Sequence, residues 1–173
     1  MSRSDAVLRA KDLLWLLLYP GYQVLGTIRH EASHALAAML EGATIERITV
    51  LPRPDARRGI LWGSVATGGH TTNFTSAAPY LVDLATYALF FVLCMRLRGP
   101  RWLWLNLAIV GVLSPAVDTL YAYLNASFRD IGDAAYLLRT GPAWAVHVCF
   151  AAAIAAYLAG IAALLRVSRF ARA

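Results

Sequence analysis

Residues 29–36 of the chain read RHEASHAL, and within them His30, Glu31 and His34 form an HExxH pattern. On a helix, side chains at i and i+4 share one face, so both imidazoles can reach a single metal ion. Glu31 adjoins the first of them, placed to hold and deprotonate a metal-bound water. Zinc brings the pKa of such a water to about 7, which makes hydroxide available at neutral pH. This is the chemistry of a metallohydrolase. Three fixed residues are weak evidence alone. These three lie near the end of a long apolar run, where burying one ionisable group in a membrane costs at least about 2.5 kcal/mol. The plainer reading is that His30 and Glu31 sit at a membrane surface, solvated by headgroups and water.

A catalytic zinc takes a third protein ligand and keeps one position open. The available residues are Asp83, Asp118, Asp130, Asp133, His70 and His147. Depth ranks them. From Leu13 to His30 is 17 residues, about 25 Å of helix. From Trp102 to Asp118 is 16 residues, about 24 Å of helix. If the first and third apolar runs cross a membrane in the same direction, Asp118 lies level with His30, and an acid so deep in an apolar run is functional by default. Asp83 could approach from the loop side of the second run, or simply favour a helix N-terminus. His147 reads as a supporting or packing histidine, and Asp130, Asp133 and His70 read as solvated loop side chains.

The elements that must position these groups are membrane elements. The chain has 173 residues, 59% of them hydrophobic and 15% charged, whereas soluble domains carry about 25% charged residues. Four apolar segments stand out, at 13–40, 77–95, 102–124 and 143–165. Each suits a helix across a hydrocarbon core of about 30 Å, where the backbone must bond to itself. The expected fold is an all-α polytopic membrane protein with four transmembrane helices, forming one domain over residues 1–173. Between the first two segments the texture alternates and is β-branched. Ile45, Ile48 and Val50 read as one strand, residues 60–65 as another, and "PRPDARRG" as a turn, giving a small membrane-associated hairpin. "RDIGDAAYLLRT" reads as a short interfacial helix before the last span, and the small residues of that span permit close helix packing.

The formal net charge is +6, but the arginines cluster at the ends of apolar runs. That pattern sets membrane topology and does not suit nucleic-acid binding. With the N-terminus inside, the inner side holds Arg3, Arg9, Lys11, Arg96, Arg98, Arg101, Arg166, Arg169 and Arg172; the outer side holds Arg47, Arg53, Arg57, Arg58, Arg129 and Arg139. The count favours that orientation. Cys94 and Cys149 lie within apolar runs and read as small buried residues. The basic N-terminus runs on into the histidine motif, so it is not read as a cleaved signal peptide.

"HEASHALAAMLEGATIERITV", then "GILWGSVATGG", then "SPAVD" resemble the site-2 protease clan of intramembrane zinc metalloproteases, the M50 peptidases, in an M50B-like form. The resemblance implies Zn2+ held by His30, His34 and Asp118, with Glu31 as general base. It implies hydrolysis of peptide bonds in membrane-spanning protein or peptide substrates, and a multi-pass protein of a bacterial cell membrane. Thr119 stands where the family has glycine after the aspartate, no asparagine lies close before Pro115, and "SAAPYLVD" matches the second core helix only loosely. These departures keep open a catalytically inactive relative that acts as a membrane binding or scaffold protein. The charge count also puts the site near the outer face, where family members hold it near the cytosolic one.

Overall fold

The structure, a computed structural model, describes residues 14, 17–55, 59–97 and 99–166. The start of the first apolar segment lies outside this range, as do Arg3, Arg9, Lys11, Arg57, Arg58, Arg98, Arg169 and Arg172 of the topology count. The first helix, α1, covers Tyr19–Leu40, with Pro20 in its first turn. It ends in a glycine-based stop. Gly42 takes φ +84, Gly42 N–H donates to Met39 O and Ala43 N–H to Ala38 O, which is the Schellman arrangement that satisfies the last carbonyls of a helix.

The alternating stretch forms two short antiparallel pairs in line with one another. β1 (Thr44–Thr49) pairs with β4 (Ser64–Gly68), and β2 (Arg53–Asp55) pairs with β3 (Gly59–Leu61). The expected strand at 60–65 is therefore two strands, broken at Trp62 and Gly63. At the break, Gly63 lies against Thr27 and Glu31 of α1.

α2 covers Asn73–Arg96, and the Thr72 hydroxyl caps it by accepting from Phe74 N–H. Its interior contains Pro79. Proline has no N–H, so the carbonyl four residues earlier, that of Thr75, loses its helical donor. The third apolar segment is a composite of α3 (Arg101–Ala108), a π turn (Ile109–Leu113) and α4 (Ser114–Arg129). The π turn precedes Pro115, whose missing N–H would otherwise interrupt a regular helix. A short helix, α5 (Asp133–Thr140), follows a sharp reversal in which Asp130 and Gly132 both take positive φ. α6 covers Ala143–Arg166.

Among the described residues, three helical segments are long and apolar enough to cross a membrane: Asn73–Arg96, Arg101–Arg129 and Ala143–Arg166. α1 is helical as expected, but its polar motif keeps it out of that set, so three of the four expected spans stand on length and composition. One core cluster joins α2, the π turn and α6 through Tyr87, Cys94, Val112, Tyr157 and Leu164. A second, of Ala126, Ala134, Ala135 and Phe150, packs α5 between α4 and α6. Cys94 is buried as expected, whereas Cys149 is exposed on α6. It falls on the outward face of that helix, which apolarity alone does not distinguish from the inward one.

α1 and α2 are tied across the ribbon by Glu41, the C-cap of α1. Its carboxylate accepts from Thr72 N–H at 2.9 Å, from the Thr72 hydroxyl, and from the Thr75 hydroxyl at 2.7 Å.

Two expectations follow from this packing. A Cβ on Gly160 would collide with the Tyr87 hydroxyl, which itself donates to Ala156 O at 2.7 Å. Gly160→Ala should cost about 1–3 kcal/mol, read as a lower unfolding midpoint in detergent, and adding Tyr87→Phe should recover part of the loss. Hydrogen bonds from Thr72 and Thr75 hold the Glu41 carboxyl below its ordinary value of 4.5. A carboxyl depressed in the folded state stabilises the fold above its unfolded pKa and loses that contribution as pH falls through the folded one. Stability should therefore decline as pH drops below 4.5, and Glu41→Gln should flatten that limb of a stability–pH profile.

Candidate metal centre

His30 and His34 occupy one face of α1, with ring centroids 4.9 Å apart. The carboxylate that meets them is Asp133, the first residue of α5. Its Oδ2 lies 3.1 Å from His34 Nε2 and 3.6 Å from His30 Nε2. One donor atom from each of the three residues falls within a 4.8 Å cluster. The reversal at Asp130 and Gly132 turns the chain back after α4 and directs Asp133 at α1. Tyr80 of α2 flanks His30, with ring centroids 6.0 Å apart.

The partner of His34 on its other side defines the chemistry. Nδ1 donates to the Thr75 carbonyl at 2.8 Å, the carbonyl left without a helical donor by Pro79. With Nδ1–H committed there, Nε2 presents its lone pair toward Asp133. Two acceptors 3.1 Å apart need a positive charge between them, either a proton or a metal ion. Burial opposes the charge on Asp133, but hydrogen bonding to His30 and His34 holds its carboxyl well below the usual carboxylate range. Two imidazoles and one carboxylate, one imidazole oriented by a backbone carbonyl, make a donor set that fits a divalent ion such as zinc.

Asp118, the expected third ligand, is engaged elsewhere. Its Oδ1 accepts from Gln23 at 2.8 Å, and its Oδ2 accepts from Arg29 Nη2 at 3.2 Å and from the Ser114 hydroxyl at 3.4 Å. A Cβ on Gly26 would lie 2.9 Å from Asp118 Oδ2, so this carboxylate packs against α1 one helical turn before His30. Equal depth for His30 and Asp118 requires both helices to run regularly from Leu13 and Trp102. Leu13 lies outside the described residues, and a π turn interrupts the third segment.

Asp83 lies with Asp118, and its hydrogen bond is to Arg29, not to an imidazole. Arg29 Nε donates to Asp83 Oδ1 at 2.7 Å, so one guanidinium joins α2 and α4 to α1 beside the first histidine. Asp83 is only 1% exposed, and its Oδ2 has no hydrogen-bond partner. Arg29 directly precedes HExxH, but a lone cation there carries no pattern from which sequence alone gives its role. His147 accepts or donates at Nδ1 with the Tyr123 hydroxyl at 2.9 Å, away from the centre, and reads as a paired packing histidine. Asp130 pairs with Arg139 at 2.5 Å on the surface, and His70 is an exposed loop side chain, as expected of both. Asp133 is not the solvated loop acid it resembled in sequence.

Glu31 is buried, at 6% exposed, and lines two cavities. One, of about 180 Å3, runs between α1 and α4 and includes His30, Asp118, Trp62, Asn125 and Asp133. The other, of about 310 Å3, carries hydroxyls from Ser64, Thr67, Thr71, Thr75 and Ser76 and reaches His34. Gly63, at the break in the ribbon, lines both. A Cβ there would collide with the Glu31 carboxylate and lie 2.6 Å from the Thr27 methyl, so only glycine lets the ribbon close over the glutamate.

The family model described as Peptidase M50B-like matches residues 6–172. Among curated proteins and among solved structures the chain has no match.

The half-buried Arg29, paired with the buried Asp83, generates a direct test. Arg29→Met would leave two carboxylates facing each other without a cation. Breaking a buried pair in this way costs about 3–5 kcal/mol, so the variant should unfold at a markedly lower temperature in detergent. Combining it with Asp83→Asn and Asp118→Asn should restore much of the loss.

Proposed function

The chain belongs to the Peptidase M50B-like family, and we propose that it is an intramembrane zinc metalloprotease that cleaves membrane-spanning protein or peptide substrates. Three apolar helices make it an integral membrane protein, and on this reading α1 is the fourth embedded helix. The observation that carries the proposal is the convergence of His30, His34 and Asp133 within 4.8 Å, with Glu31 beside them and open to two cavities.

His30, His34 and Asp133 would hold the ion, in place of the set with Asp118 that the resemblance implied. When bound, zinc supplies Lewis acidity, lowering the pKa of a coordinated water to about 7 and polarising the scissile carbonyl. Glu31 acts as general base and then as general acid. Its carboxylate takes a proton from water at the site and delivers it to the departing amine. The hydroxyl-lined cavity suits the entry of that water, and the cleft between α1 and α4 suits the peptide. A helical substrate must be unwound there, because its carbonyls are tied into its own backbone ladder. The short strand β3 and the break at Trp62 and Gly63 lie beside that cleft, where an extended segment could add to an edge by main-chain hydrogen bonds. Arg29, Asp83 and Asp118 hold α1 in place and take no part in proton transfer.

Metal content and cleavage of a transmembrane reporter in proteoliposomes test this together. Wild type should carry one zinc and cleave. Glu31→Gln should keep the zinc and lose cleavage. Asp133→Ala should lose both, and Asp118→Ala should keep the zinc. Zinc retained in Asp133→Ala and lost in Asp118→Ala would return the third ligand to Asp118. A wild type that holds zinc and captures a membrane partner without cleaving any reporter would favour the scaffold reading.

A further inference from the structure

The metal-site reading requires His34 to present Nε2, and the device that ensures it lies outside the donor set. We propose that Glu41 and Pro79 are positioning residues for His34, both acting through Thr75. This rests on the metal-site reading above. Pro79 acts by what it lacks. In an uninterrupted helix the Thr75 carbonyl would accept from the N–H of residue 79. With proline there, that oxygen is left to His34 Nδ1–H at 2.8 Å.

Glu41 acts by holding the turn that carries this carbonyl. It follows His34 by seven residues, two helical turns, and so emerges on the same side of α1. Its carboxylate accepts from the Thr75 hydroxyl at 2.7 Å, from Thr72 N–H at 2.9 Å and from the Thr72 hydroxyl. These bonds grip the first turn of α2, where free N–H groups and the helix dipole favour an anion. The same residue thus receives a side-chain clamp from Glu41 and offers its main-chain oxygen to the imidazole. Orienting a metal-ligating histidine through its second ring nitrogen fixes its tautomer, and loss of such a partner weakens metal binding by about 10–100-fold.

The two residues make opposite predictions for stability, which separates positioning from ordinary packing. Pro79→Ala supplies an N–H that competes for the Thr75 carbonyl and restores a helical bond. Glu41→Gln loosens the turn. Zinc affinity of the full chain, by competition with a chromophoric chelator in detergent, would be measured beside the unfolding midpoint of the zinc-free protein. Both variants should bind zinc at least about 10-fold more weakly, with the zinc-free midpoint held or raised in Pro79→Ala. Wild-type affinity in both variants overturns the proposal while leaving the metal site standing. Affinity lost in Pro79→Ala only together with a collapse of the zinc-free midpoint also overturns it, since the proline would then serve the fold. A wild type that binds no zinc overturns the metal-site reading and this proposal with it.

Discussion

The helix that carries both imidazoles is pinned by one guanidinium. Arg29 reaches Asp83 on α2 and Asp118 on α4 from a position immediately before His30. In an apolar surrounding each of these charges would be costly alone. Together they restrict how α1 can lie, because rotation or sliding would separate the half-buried Arg29 from the buried Asp83 and the half-buried Asp118. The imidazoles one and five residues further along inherit that constraint. This explains why an acid as deep in an apolar run as Asp118 need not be a metal ligand: an arginine is an equally effective reason for it to be there.

Around that anchor the backbone is arranged to serve side chains. Pro79 releases a carbonyl, the reversal at Asp130 and Gly132 redirects the chain after α4, and Gly63 removes a side chain where the ribbon crosses Glu31. In lipid a carbonyl without a donor is expensive. The Thr75 oxygen is tolerated because His34 supplies the missing N–H. Local departures from regular helix and strand thus coincide with the site, and the regular lengths of α2, α4 and α6 supply the packed surroundings. The cluster around Phe150 reaches His30 through Tyr80, and the face between α1, α4 and the ribbon is open as a cleft.

Much of this was written in the chain as pattern. Long apolar runs require helices wherever water is absent, so α2, the composite third segment and α6 fall where composition puts them. The i, i+4 spacing of His30 and His34 requires a shared face once α1 is helical, and β-branched alternation marked the ribbon. Pattern did not extend to Asp133. Its stretch reads as a short interfacial helix with solvated acids, and the positive-φ reversal at Asp130 and Gly132 that returns it to the protein is seen only in the structure. Counting from the ends of the helices points the right way: α1 stops six residues after His34, and α4 stops four residues before Asp133, so both lie near one face.

The sequence by itself determined the chemistry on offer: two imidazoles and a glutamate on one helix, embedded among apolar spans, with several carboxylates able to complete the set. These are properties of local periodicity and of the cost of burying charge, and neither needs a partner across space. Tertiary structure decided which carboxylate meets the imidazoles, which one answers Arg29, and which backbone oxygen turns His34. Those choices depend on where helix starts, a π turn and a two-residue reversal bring residues some hundred positions apart, and no spacing along the chain encodes that sum of small geometric offsets.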